Sequence, residues 1–272
     1  MTRPAIANVL SIAGSDPSGG AGIQADLKAI AANGCYGMAV ITALTAQNTT
    51  GVTGVRLVEP DFVAAQIDAV FADIRVDAVK IGMLGSADIA EAVAAALARH
   101  RPPAVVLDPV MIAKGGDRLL AEAAITVLRE RLLPLATVLT PNLPEAAVLL
   151  DTPEPANRDA MAAMAAALRA LLPADGSVLL KGGHLPGPAS PDLLSTPDGD
   201  HWLEAARIAT RNTHGTGCTL SSALAARLAL TGDIRLAAEQ AKRYVAGAIA
   251  AADRLDVGHG HGPTHHLHTL WR

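Results

Sequence analysis

Aromatic residues are nearly absent from this sequence: Phe, Trp and Tyr together make 2% of 272 residues. So few rings give no stacking platform for single-stranded nucleic acid, and a net charge of −4 offers no basic field to a phosphate backbone. Nucleic acid is therefore not an expected partner. Cysteine is equally scarce. Cys35 and Cys218 lie far apart and show neither metal nor redox spacing, so no disulfide scaffold is expected and a reducing, cytoplasmic location fits. No run approaches the roughly 18 apolar residues of a membrane span, which leaves no expected membrane partner. The apolar run near the N-terminus gives way to polar residues after Ile12 and Ala13, and reads as a first strand rather than a secretory segment.

What is abundant is small and aliphatic. Hydrophobic residues make 50% of the chain, so its core must be packed with Ala, Leu, Val and Ile, as suits a parallel sheet covered by helices. Strand-like runs at Asn8–Ile12, Met38–Thr42, Ala78–Met83, Ala104–Leu107, Val138–Thr140 and Ser177–Leu180 alternate with amphipathic stretches at Ile23–Ala32, Asp61–Asp73, Ala87–Arg99, Ala121–Leu132 and Arg158–Leu171. This alternation predicts an α/β fold with helices on both faces of a mostly parallel sheet, over a single domain spanning residues 1–272. Asp198-Gly199-Asp200 suggests a hairpin turn and an antiparallel sheet edge. Two helices come next, near Thr219–Leu230 and Ile234–Leu255, with Thr231-Gly232-Asp233 as stop and restart.

Chemistry concentrates where glycines meet helix starts. In NTHGTGCTL, Asn212–Leu220, Gly215 and Gly217 permit close backbone approach, Thr216 and Thr219 are candidate helix caps, and the helix start suits an anion. Cys218 would stand in that field as a thiol with its pKa lowered, although a tight turn with a small buried thiol fits equally. The loop Gly14–Lys28 brings three glycines to a helix start but matches neither GxGxxG nor a P-loop. Its Asp26 is either a helix-dipole partner or a receiver of a ligand's amino group. Asp108 ends a strand before the loop Met111–Asp117, which is placed to fold over phosphates. Asn142 and Glu145 are either a magnesium-facing pair or a capping box. Lys181 ends a strand and is either a phosphate contact or a solvated lysine. The histidines at 259, 261, 265, 266 and 268 invite a metal reading, but they lack a defined carboxylate or thiol partner and are taken as an ordinary tail.

Seven stretches, in order, decide between these alternatives: Ala13–Lys28, Val40–Thr49, Val79–Leu84, Val105–Met111, Leu139–Ala146, Leu179–His184 and Asn212–Ala226. Together they resemble the ribokinase-like superfamily, and within it the bacterial hydroxymethylpyrimidine/phosphomethylpyrimidine kinases of thiamine biosynthesis. The resemblance implies a three-layer α/β/α kinase domain that uses ATP and Mg²⁺ to phosphorylate 4-amino-5-hydroxymethyl-2-methylpyrimidine and then its monophosphate, and that forms a homodimer. It places Gly14, Ala21, Asp26, Gln47, Met83 and Val110 around the pyrimidine, with Asp26 and Gln47 orienting the ring. Asp108 and Glu145 would hold magnesium, while Lys181, Asp108 and Asn142 would meet nucleotide phosphates. Gly215, Thr216 and Gly217 would steady the transferring phosphoryl, and Cys218, where the wider superfamily usually has Asp, would accept the hydroxyl proton. Two competing readings are a pyridoxal kinase of the same fold and a catalytically silent pyrimidine-binding sensor.

Overall fold

A computed structural model describes residues 6–111 and 122–271. Among the described residues the strands are β1 (Asn8–Ala13), β2 (Tyr36–Ile41), β3 (Ala43–Asn48), β4 (Gly51–Leu57), β5 (Ala78–Ile81), β6 (Val105–Leu107), β7 (Val138–Leu139), β8 (Ser177–Lys181), β9 (Asp192–Thr196) and β10 (Gly199–Leu203). The helices are α1 (Gly22–Ala32), α2 (Pro60–Asp73), α3 (Ala87–His100), α4 (Glu122–Val127), α5 (Leu143–Leu150), α6 (Arg158–Arg169), α7 (Thr216–Thr231) and α8 (Ile234–Ala250). Eight strands form one sheet in the order β10-β9-β8-β7-β6-β5-β1-β2. Neighbours pair in parallel, apart from β9, which runs antiparallel to both β8 and β10.

Alternate residues of each strand feed the two faces, as the period of two requires. Val105 and Leu107 pack on one side with α2, α3 and α6, while Val106 between them packs on the other with α1, α7 and α8. Both faces are covered, so the strands read in sequence as unbroken apolar runs. Each fully buried Ile or Leu contributes roughly 1.5–3 kcal/mol. Helix starts are set locally: Ser86, Asn157 and Asp233 accept from backbone N–H groups three residues on, capping α3, α6 and α8. Gly232, at φ 66°, separates α7 from α8, so the expected stop and restart are found where Thr231-Gly232-Asp233 placed them.

Three expectations need correction. The hairpin turn falls one residue earlier than Asp198-Gly199-Asp200, since Thr196 already pairs with Gly199 and only Pro197 and Asp198 remain unpaired. A second hairpin, β3–β4, was not anticipated; its half-exposed residues, Thr, Gln and Gly among them, hide the alternation that marks a strand. The last long helix ends at Ala250, short of Leu255. Residues 112–117 of the expected phosphate-covering loop, and Ala121, lie outside the described residues. Among the described residues no helix is long and apolar enough to cross a membrane.

Candidate active site

The carboxyl ends of β1, β6, β7 and β8 point to one side of the sheet, where ligands gather in open α/β folds. A cavity of about 790 Å³ opens there, bordered by the β3–β4 hairpin, the loop after β1, and the N-terminus of α7.

The N-terminus of α7 forms the floor. Gly215, in the left-handed region at φ 75°, precedes the helix, and no side chain caps it. The two threonines therefore do not act as caps. Thr216 Oγ1 donates to the Thr213 carbonyl at 2.8 Å and Thr219 Oγ1 to the Gly215 carbonyl at 2.7 Å. The Thr216 N–H donates to the Thr213 carbonyl at 3.3 Å, and with no capping oxygen the N–H groups that follow it in the first turn are left to an anion. Gly217 matters for approach: a Cβ there would sit 3.4 Å from Lys181 Nζ and 3.6 Å from Asp108 Oδ2.

Lys181, the last residue of β8, joins two carboxylates. Its Nζ lies 3.0 Å from Asp108 Oδ1 and 3.8 Å from Glu145 Oε2. Burial works against its charge, but Asp108 and Glu145 outweigh burial and hold its pKa above the usual lysine range. Burial would raise the Asp108 carboxyl; Lys181 and Lys80 reverse this and keep it below its usual range. Thr140 and Ser221 also donate to Asp108, at 3.2 Å each. Asn142 and Glu145 form a complete capping box at the start of α5, with Glu145 Oε2 accepting from the Asn142 N–H at 2.7 Å and Asn142 Oδ1 accepting from the Glu145 N–H at 2.8 Å. Both still line the cavity. Burial pushes the Glu145 carboxyl up to about 7, against the pull of Lys181.

Gly14, Ala21, Gln47, Met83 and Val110 also line the cavity. Gly14 is pinned by its N–H to the Met83 carbonyl at 3.1 Å and by its carbonyl to the Ile23 N–H at 3.0 Å. Gln47, on β3, reaches His214, with 3.4 Å between Gln47 Nε2 and His214 Nε2. The unanticipated hairpin thus carries a predicted ligand-facing residue, and Thr45 ties it to the first loop through the Ser15 carbonyl at 2.9 Å.

Asp26 is not placed as expected. Its side chain is completely buried, it does not line the cavity, and both oxygens are occupied. Oδ1 accepts from Lys80 Nζ at 2.9 Å and Ser222 Oγ at 2.7 Å, and Oδ2 from Lys80 Nζ at 2.8 Å and Ser11 Oγ at 2.6 Å. A carboxylate with its four acceptor sites filled has no lone pair left for a ligand's amino group. Lys80, Asp16 and His214 are not among the site residues expected from the sequence. A lysine inside the apolar run AVKI was the available signal, since lysine is almost never buried unpaired.

Cys218 is corrected as well. Burial pushes its thiol up to about 11, although Lys80 pulls it down; Asp26 and Asp108 add to the rise, and the Gly22 N–H opposes it. Desolvation overcomes the helix-start effect that the sequence suggested. The histidine-rich tail is partly structural: His265 and His266 are buried, and Thr219 Oγ1 lies 3.0 Å from His266 Nε2.

A largely parallel sheet with helices on both faces, and a helix start facing a lysine and two carboxylates, define a phosphotransferase of the ribokinase-like class. The family model described as phosphomethylpyrimidine kinase matches residues 16–265. A hydroxymethylpyrimidine/phosphomethylpyrimidine kinase of Escherichia coli (strain K12) is 54% identical over 264 residues, covering 97% of this chain and 98% of that protein. Solved structures are similar as well. A phosphomethylpyrimidine kinase from Clostridium difficile 630 has a TM-score of 0.79 at 43% identity, covering 89% of this chain and 99% of that one. An ADP complex of Bacillus subtilis pyridoxal kinase has a TM-score of 0.87 at 36% identity, covering 96% and 98%. The chain belongs to the phosphomethylpyrimidine kinase family.

Proposed function

We propose that this chain is an ATP-dependent kinase of thiamine biosynthesis, which phosphorylates 4-amino-5-hydroxymethyl-2-methylpyrimidine and then its monophosphate. The observation that carries this reading is the meeting of the uncapped α7 start, Lys181 and Asp108 in one cavity with Gln47, Met83 and Val110. Phosphoryl transfer asks mainly for positioning and charge stabilisation. Lys181 and the N–H groups of residues 215–218 would meet the charge on the transferring phosphoryl, whose bond to the ADP oxygen breaks as the substrate oxygen bonds to phosphorus. Cys218 would accept the hydroxyl proton, for which it must be a thiolate.

Asp108 and Glu145 suit Mg²⁺. That ion commonly takes one or two carboxylates and leaves its other positions to waters and phosphates, and here two carboxylates flank one lysine. When bound, Mg²⁺ would neutralise phosphate charge; Asn142 fixes Glu145 through the capping box. We read residues 1–272 as one kinase domain that assembles as a homodimer. Exposed Leu44 and Leu57 on the hairpin and Phe62 beside it support an interface, which light scattering on the purified protein tests.

The functional test is ADP release with ATP, Mg²⁺ and the pyrimidine alcohol, its monophosphate or pyridoxal. Turnover of both pyrimidines is expected. Turnover of pyridoxal alone would reassign the acceptor, and nucleotide-independent pyrimidine binding without turnover would make the protein a sensor.

A further inference from the structure

Lys80 is the residue in this fold whose placement most needs explaining. It lies in β5, a central strand, and is completely buried. Its neighbours Val79 and Ile81 face the core on the α2–α3 side, so Lys80 faces α1 and α7. In the β1–β5 register it stands beside Ser11, which donates to the same Asp26 that binds Lys80. Gly82 leaves room for the ammonium, since a Cβ there would lie 2.7 Å from Lys80 Nζ.

A buried ion pair is a poor device for stability alone, because apolar residues of similar volume often serve as well or better. The position of this pair suggests another use. Asp26 is off the cavity, yet Lys80 lines it together with Cys218, Ala13 and Gly22. Ser222, which donates to Asp26 at 2.7 Å, lies four residues after Cys218 and so on the same face of α7, one turn below it. Asp26 accepts from the Lys80 ammonium through both oxygens, and Lys80 itself borders the cavity. Lys80 is also the foremost charge drawing the Cys218 thiol down against burial.

We propose that Lys80, anchored by Asp26, is a positioning residue whose ammonium stabilises the thiolate of Cys218, the form of the sulfur that then takes the substrate's hydroxyl proton. The proton passes from the alcohol oxygen to sulfur as that oxygen bonds to the phosphorus leaving ADP, and Lys80 keeps its own proton. Asp26 thereby serves the reaction from behind, by holding the cation, and does not touch the pyrimidine. This inference rests on the assignment of Cys218 as proton acceptor in the proposed function.

The test is a double-mutant cycle on single-turnover rates, measured separately for the alcohol and the monophosphate. Lys80→Met strands the Asp26 carboxylate and threatens folding, so the paired variant Lys80→Gln/Asp26→Asn, a neutral hydrogen-bonding pair, is made alongside it and both are checked by thermal melting. In a Cys218 background the neutral pair should slow the alcohol step on the order of 10- to 100-fold, the range seen for coupled neighbours, and the monophosphate step much less. In a Cys218→Ala background the same replacement should change neither step. Equal slowing of the alcohol step with and without Cys218 would overturn the role of Lys80 and leave the cysteine assignment standing. A Cys218→Ala enzyme that loses nothing specific to the alcohol step would overturn both, and that single variant reveals it before Lys80 is changed.

Discussion

His214 Nε2 and Asp16 Oδ2 lie 2.8 Å apart, joining the loop after β1 to the turn before α7 across 198 residues of sequence. Asp16 also accepts from the Ser18 N–H at 2.9 Å and the Ala21 N–H at 2.8 Å, so one carboxylate orders the loop and fastens it to the turn before α7. Burial works to raise the Asp16 carboxyl, but the hydrogen bonds from His214 and Ser18 outweigh it and hold it below its usual range. As an ionised carboxylate it only accepts, so His214 donates.

His214→Ala should therefore loosen the part of the cavity bordered by Gln47 and the loop after β1. We expect KM for the alcohol to rise about 10-fold while KM for ATP changes little, because misplacing a substrate-positioning loop by even ~1 Å is expensive. Steady-state kinetics with each substrate varied in turn decide this; a larger change in KM for ATP would place His214 with the nucleotide.

The same pair bears on acid stability. A carboxyl lowered on folding adds stability above its ordinary pKa of 3.8, and loses it as pH falls through the depressed folded value. Asp16→Asn should narrow the stability gap between neutral pH and pH ~3 relative to wild type, as read by denaturant titrations at both pH values. An unchanged gap would mean that Asp16 is equally ionisable in the unfolded chain.

Glu145 has the opposite sign. Its carboxyl is raised from 4.5 to about 7, so between those values the folded protein binds the proton that the unfolded chain has released. This contribution to stability is present below pH 4.5 and declines as pH rises toward about 7. Glu145→Gln should flatten that part of the profile without Mg²⁺ present. A profile of unaltered slope would show that Glu145 ionises normally in the fold.

Asp26→Ala should be costly by itself, since it leaves Lys80 buried without its counter-charge. A loss of about 3–5 kcal/mol is expected, a fall in Tm of several degrees at least. Calorimetry measures it. A near-neutral Asp26→Ala paired with weaker pyrimidine binding would restore the ligand-facing role that the sequence suggested.

Cys218→Ala should fold and lose on the order of 10²–10⁴-fold in the alcohol step if the sulfur is a general base. The monophosphate, whose acceptor oxygen carries no hydroxyl proton at neutral pH, should suffer less. Equal losses in separate single-turnover measurements would instead assign Cys218 to phosphate positioning.

Much of this architecture was legible because the central strands are buried on both faces and therefore appear as short, unbroken apolar runs such as those at 105–107 and 178–180. The break between α7 and α8 was legible for a local reason: Gly232 needs positive φ and Asp233 caps the start of α8. The β3–β4 hairpin was not, since its residues are half exposed and its turn is Thr49-Thr50 rather than a glycine-bearing pair.

By itself the sequence determined the order of the main-sheet strands, the glycine turn at Gly215 and the family to which the seven stretches point, because backbone conformation and apolar periodicity are properties of neighbouring residues. Only the tertiary structure decided what Asp26 and Cys218 experience. The partner of Asp26 is a lysine 54 residues away, and the thiol of Cys218 is raised by burial that no single helix provides. Charge and solvation depend on what is packed around a group, and those neighbours are assembled only when the sheet closes beneath α1 and α7.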